Sequence, residues 1–316
     1  MQTNPAEVSQ DFLVALCGCS SRSVIVNGKT HVGLALLVWC LVHTSTLAET
    51  NVQADVVYGH KAGMALTFDV LQPDEPNGSG VLFIVSGGWV SRWMPPEQEI
   101  AFLRPLLDRG YTVFAVRHGS SPKFVIPEIV PDVRRAVRFI RLHANDWGVD
   151  PNHLAASGWS AGGHLALMLG TTGDDGDPDS RDPVERTSSR VQAVVAYFPP
   201  TDLRPYVSDD EFPTRFPALK FDVERAAEFS PLLQVSSDDA PALLIHGDQD
   251  TLVPLWHSQK MAEALRGVGV ETRLIVIEGA GHGFTGDAAD RAVAAWLEWL
   301  DSHLTARAAK PQTAAP

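Results

Sequence analysis

Cysteine is nearly missing from this chain. Its three copies, Cys17, Cys19 and Cys40, all fall in the first forty residues. For everything downstream that excludes a thiol nucleophile, a cysteine-rich zinc site and a disulfide framework. Basic residues are also in deficit: 25 Lys and Arg stand against 38 Asp and Glu, a formal charge of −13. The acid is spread along the chain and no Lys/Arg stripe exists to neutralise phosphates, so nucleic acid is excluded as a partner. Long apolar runs are missing as well. The run from Val32 to Val42 falls well short of the roughly 20 residues that cross a bilayer, and no stable membrane insertion is expected.

That short run has a different reading. In "HVGLALLVWCLVHTSTLA" it follows Lys29 and leads to small residues ending at Ala48, the order of an export signal. Residues 1–48 are therefore expected to be a leader, and the mature chain a periplasmic or extracellular protein without cysteine. "LCGC" at 16–19 has the outline of a lipid-attachment box, but no basic residue precedes it.

What the chain does have is length and a core. Its 316 residues are 45% hydrophobic, enough for one large globular domain. "ALTFDVLQP" (65–73) alternates like a half-buried strand. "GVLFIVSGG", "YTVFAVRHG", "HLAASGWS", "VQAVVAYFP", "ALLIHGD" and "TRLIVIEG" are continuous apolar runs, as in strands buried on both faces. Amphipathic helical stretches lie between them at 130–147, 161–170, 255–268 and 287–304. The alternation predicts a mostly parallel sheet with helices on both faces over 49–316, with a Pro-rich cap insert at about 201–240 and a tail at about 305–316.

Ligands gather at the carboxyl ends of such strands, and three residues there stand out. Gly158-Trp159-Ser160-Ala161-Gly162 joins a strand to a helix, the setting in which G-x-S-x-G marks an exposed nucleophile on a strained turn. The pattern alone turns up by chance in about one protein of this size in ten, so its partners must decide. A serine hydroxyl needs a base, and the base needs an acid to orient it. "LLIHGDQDTLVP" runs a buried strand into Asp248 and Asp250, and "VIEGAGHGF" runs another into His282. The order Ser, Asp, His is that of α/β-hydrolases.

On "GWSAGG", "SPLLQVSSDDAPALLIHGDQDTLVP" and "GAGHGF", residues from about 54 to 304 resemble the α/β-hydrolase family, specifically carboxylesterases related to hormone-sensitive lipase and to bacterial feruloyl and acetyl esterases. The resemblance implies an α/β-hydrolase fold and a serine ester hydrolase working through an acyl-enzyme, on short-chain or carbohydrate-linked esters, small or polysaccharide-bound. It calls for no cofactor and no metal. It selects Asp250, three positions before Val-Pro, as the acid, while Asp248 is expected to hold the turn. The oxyanion donors are expected at Ala161 and in the loop after "VLFIV". There the family shows His-Gly-Gly-Gly and this chain shows Ser86-Gly87-Gly88-Trp89. Gly88 is the expected donor, with Gly87 and Trp89 as alternatives.

Trp89 and Trp159 flank the predicted site and are expected to contact substrate; Trp93 lies nearby. His164 is expected to make a packing or backbone contact, His246 to brace the acid strand, and His118 has no assigned role. "GDDGDPDSRD" (173–182) lacks the glycine and glutamate of an EF-hand and reads as a solvated loop. Two other functions share parts of the pattern. A prolyl oligopeptidase-type peptidase usually carries a large β-propeller, for which the chain has no room. A binding protein on a hydrolase scaffold commonly loses one of the three residues, all of which are kept here.

Overall fold

The structure is a computed structural model that describes residues 50–304. The expected leader with its export signal and lipid-attachment box, and the expected tail, lie outside the described residues.

Eight strands form one sheet: β1 (Asn51–Lys61), β2 (Met64–Gln72), β3 (Gly80–Ile84), β4 (Thr112–Val116), β5 (Leu154–Trp159), β6 (Ala193–Tyr197), β7 (Ala242–Gly247) and β8 (Thr272–Ile277), in the spatial order β1-β2-β4-β3-β5-β6-β7-β8. From β4 to β8 every neighbouring pair is parallel, and β1 and β2 pair antiparallel at one edge. All residues of β3, β4 and β6 are buried, which is why those segments read as unbroken apolar runs.

Five long helices cover the two faces: α1 (Pro96–Leu107), α2 (Ile126–His143), α3 (Ala161–Thr171), α6 (Trp256–Gly267) and α7 (Asp287–Leu304). Leu82 and Ile84 of β3 join a core with Ile129 and Val133 of α2, Leu165 of α3 and Met261 of α6. The alternate residues Val81 and Phe83 join a second core with Leu103 and Leu106 of α1 and Trp296 and Leu300 of α7. The expected mostly parallel sheet with helices on both faces is present. No helix among the described residues is long and apolar enough to cross a membrane.

Two elements went unanticipated. In β1 the register against β2 shifts between Gln53 and Val56 and again between Val57 and Gly59, so the period of two that marks a strand is broken twice. Helix α1, absent from the expected helical stretches, starts at Pro96, which occupies the first turn, where a missing N–H costs nothing. The same effect moves the start of α2 from the expected 130 to Ile126: Pro127 sits in its first turn and the Glu128 carboxylate accepts the Val125 amide at 3.0 Å. Residues 201–240 carry two one-turn helices, α4 (Arg204–Val207) and α5 (Phe212–Arg215), and several 3₁₀ turns.

Candidate active site

The turn from β5 into α3 is the most constrained stretch of backbone. Ser160 has φ 52° and ψ −116°, a conformation costing a non-glycine residue about 1–3 kcal/mol. Only small neighbours permit it. A Cβ on Gly158 would lie 2.5 Å from the Gly162 carbonyl carbon, and one on Gly162 would lie 2.6 Å from the Ile84 oxygen of β3. The elbow is held by the Ser160 amide, which donates to Tyr197 O at 2.9 Å, and by the His164 amide, which donates to Ser160 O at 2.9 Å.

Three residues distant in sequence meet there. His282 Nε2 is 2.9 Å from Ser160 Oγ, and His282 Nδ1 is 2.6 Å from Asp250 Oδ2. An ionised carboxylate only accepts, so Nδ1–H donates to Asp250 and Nε2 is left to accept the serine proton. Asp250 is buried, and burial by itself would raise its pKa; hydrogen bonds from His246 and His282 and the Val253 amide outweigh that and hold the carboxyl well below its usual range. Its Oδ1 accepts the Leu252 and Val253 amides, both at 2.9 Å. His246, at the end of β7, braces the acid loop as expected: Nδ1 meets Ser258 Oγ at 2.7 Å, and Nε2 meets Val253 O at 2.7 Å and Asp250 Oδ2 at 3.3 Å. Asp248 holds the turn, accepting the Gly279 amide at 2.7 Å. The Phe198 ring lies 4.6 Å from the His282 ring, centroid to centroid.

The loop after β3 presents its glycines to the same space. The Gly87 amide is committed to Val90 O at 3.1 Å, whereas the amides of Gly88 and Trp89 donate to no group among the described residues. Gly88 has φ 57° and the Phe216 ring stands against it, 2.9 Å from where a Cβ would sit. On the other side, the Ala161 amide is the first of α3, with no partner inside the helix. The loop's brace is one the sequence left unassigned. His118, at the end of β4, holds Gly119 O with Nδ1 at 2.9 Å and meets Ser86 Oγ with Nε2 at 2.9 Å. Burial lowers its pKa to about 4, so the ring is neutral and Nε2 accepts the Ser86 proton. The nearest sequence signal was a histidine one residue after a strand-end arginine.

A cavity of about 790 Å³ opens over Ser160, lined from the β3 loop by Gly88 and Trp89, from the elbow by Trp159 and Ala161, and from the cap by Tyr206 and Phe216. Trp89 is 4% exposed, and its Nε1 donates to His164 Nδ1 at 3.2 Å. His164 Nε2 donates to Phe229 O at 2.8 Å, so this histidine joins the β3 loop to the cap. Trp159 packs edge-on against Phe83 at 5.1 Å and lines the cavity with its remaining surface. The segment expected as a solvated loop is more engaged than that: Asp174 pairs with Arg138 and Asp182 with Arg135 of α2, each at 2.7 Å.

A hydroxyl bonded to an imidazole that is backed by a buried carboxylate, with unspent amides on the far side, is an arrangement suited to nucleophilic acyl transfer. Known proteins resemble the chain in the same sense. A family model described as BD-FAE matches residues 68–265. Esterase LipC of Mycobacterium tuberculosis is 29% identical over 219 residues, 65% of this chain and 52% of that protein, so the chain spans about half that relative's length. An ethyl acetate hydrolase of Pseudomonas putida is 27% identical over 282 residues, 81% of this chain and 84% of that protein. Among solved structures, Thermogutta terrifontis esterase 2 phosphorylated by paraoxon aligns with a TM-score of 0.65 at 26% identity, covering 80% of this chain and 94% of that one.

Proposed function

The chain belongs to the BD-FAE family, within the α/β-hydrolase fold, and from that premise we propose that it hydrolyses carboxylic esters with Ser160 as nucleophile, His282 as general base and Asp250 as the group that orients the imidazole. One observation carries the reading: the unbroken chain of hydrogen bonds from Ser160 Oγ through His282 to Asp250, at 2.9 and 2.6 Å. In the first step Ser160 Oγ bonds to the ester carbonyl carbon while His282 Nε2 takes its proton. The amides of Gly88 and Ala161 hold the resulting oxyanion, each donor contributing about 3–4 kcal/mol in comparable systems. Collapse breaks the bond to the alcohol, which leaves with the proton from His282. Water, deprotonated by the same imidazole, then releases the acid and restores Ser160.

The alcohol and acyl groups are read from the cavity and the relatives. A relative named for ethyl acetate supports short acyl chains. Trp159 in the lining offers flat apolar surface on which a sugar ring can rest, which supports carbohydrate-linked esters as the second class, whereas Trp89, expected to contact substrate, is buried with its ring packed against His164 and Phe216. An exported address completes the reading, resting on the run from Val32 to Val42; finding the chain wholly in the cytoplasmic fraction of its host would remove that part alone.

Paraoxon and p-nitrophenyl acetate test the chemistry together. The expected result is one phosphoryl adduct per chain, mapped to Ser160 by mass spectrometry, with ester turnover abolished in step. Ser160→Ala should resist labelling and lose turnover by on the order of 10⁶ while staying folded. Near-normal hydrolysis by that variant would overturn the assignment.

A further inference from the structure

The charge in the cavity runs opposite to the charge of the protein. The formal charge is −13, yet no Asp or Glu lines the cavity over Ser160, and its two permanent charges are the guanidiniums of Arg92 and Arg215. They come from different segments, Arg92 from the loop after β3 and Arg215 from the end of α5 in the cap. Both are exposed at the mouth, and neither forms an ion pair among the described residues. Arg215 is seated over the Phe216 ring at 5.2 Å, and Phe216 stacks on Phe212 at 6.1 Å. A planar cation laid on an aromatic face keeps its edge N–H groups free for a ligand.

A third donor follows from a tautomer. His257 Nδ1 accepts the Thr201 amide at 3.0 Å, so its ring proton sits on Nε2 and is donated to Tyr206 Oη at 2.6 Å. The phenol oxygen is thus already an acceptor, and its own proton has no acceptor among the described residues. Tyr206 packs on Phe212 at 4.7 Å and lines the cavity, on the same stretch of cap as Arg215. An apolar cavity whose mouth carries two unpaired guanidiniums and an unspent phenol proton is built to receive electron-rich oxygen.

We propose that the site selects esters that carry a second, ionised carboxylate, held by Arg92 and Arg215 with Tyr206 donating beside them, while Ser160 attacks the ester carbonyl. The inference rests on the esterase reading of Ser160. Arginine suits the task because its fork matches a carboxylate with two parallel hydrogen bonds. The carboxylate has two sources, the acyl half, as in half-esters of dicarboxylic acids, or the alcohol half, as in acylated uronic acids.

Two matched pairs separate these sources: mono-p-nitrophenyl glutarate against its neutral primary amide, and acetylated glucuronic acid against acetylated glucose. The expected result is kcat/KM higher for the charged member by about tenfold in one pair, the size given by two partly solvated charge-assisted contacts. The preference should shrink as salt is raised. Arg92→Gln and Arg215→Gln should each lower the ratio, the double variant should bring it to about one, and Tyr206→Phe should lower it by a smaller step. Because the readout is a ratio within one protein, a general loss of activity does not imitate it. Equal rates for both members of both pairs in the native enzyme, or a ratio the double variant leaves unchanged, would overturn the carboxylate proposal and leave the esterase standing. No turnover of any of the four by the native enzyme overturns the esterase reading, and the carboxylate proposal falls with it.

Discussion

Two regions face each other across the cavity, and they are held in different ways. The rim of strand-end turns is fixed by backbone: Ser160 at φ 52°, glycines beside it that leave no room for a Cβ, and amides that lock the Asp250 carboxylate. The cap is fixed by side chains: Tyr206, Phe212 and Phe216 stacked in series, and two buried histidines, His164 and His257, bonded across to it. Few sequences can make the first kind of region and many can make the second. On the proposed function, the chemistry falls where sequence is constrained and selectivity where it is free to vary.

The sharpest way to test this contrast is at the acid. Asp250→Asn keeps the side-chain shape but reverses the donor pattern that fixes the His282 tautomer, and kcat should fall by about 10⁴, as in a comparable triad, with stability falling as well because the hydrogen bonds that hold the buried carboxylate ionised are lost. Steady-state kinetics beside a urea melt would check both halves. Next in size is the elbow: Gly162→Ala puts a methyl 2.6 Å from the Ile84 oxygen, and should cost about 3 kcal/mol in urea unfolding as well as activity. If it costs no more than a conservative change in the cap, backbone is not what holds the rim.

Acid should loosen rim and cap together. Burial lowers His118 and His164 to about 4 and His257 to about 3, from the usual 6.5. Between 6.5 and those values the unfolded chain binds a proton that the folded chain refuses, so stability falls as pH drops through that window. Each histidine contributes up to about 1.4 kcal/mol per pH unit. His257→Gln, which can still reach Tyr206, should flatten the profile by one proton; an unchanged slope would show that the ring already charges in the folded state. The smallest effect is expected at Phe216→Ala, which opens the space beside Gly88. It should raise kcat/KM for bulkier acyl groups relative to acetyl a few-fold and cost about 1 kcal/mol, the low end for a part-exposed aromatic.

The same contrast explains what could be read in advance. Ser160, Asp250 and His282 were legible because each follows an apolar strand-like run and their chain order is specific, and the structure brings the three within hydrogen-bonding reach, although β8, read as buried on both faces, is an edge strand in which only Ile277 is buried. Among the three candidate donors after β3, sequence could not set Gly87 aside, since the commitment of its amide to Val90 depends on how the loop folds; the amides of Gly88 and Trp89 stay uncommitted. The support of Ser86 by His118 was not legible. It joins the ends of β3 and β4 through two side chains 32 positions apart, and nothing local announces such a pair. The roles proposed for Tyr206, Arg92 and Arg215 were hidden for a related reason: a half-buried tyrosine and two exposed arginines in a loop and two one-turn helices acquire meaning only when the cavity they border is known. Helix α1 was lost to its prolines and β1 to its bulges.

Those bulges matter beyond recognition. Where the β1 register first slips, Asp55 adopts φ 55°, its amide donates to Asp69 Oδ1 at 2.7 Å and its carboxylate meets Arg117 at 3.0 Å. Arg117 also grips the buried Asp69 and Glu99. An outermost strand normally offers a row of bare amides and carbonyls to any passing extended chain. Here that row is crooked, and the crook is riveted to a buried cation, so neither sliding by one residue nor recruiting a foreign strand comes cheaply. A protein holding a wide, mostly parallel sheet thereby guards its β1 edge against fibre-like association.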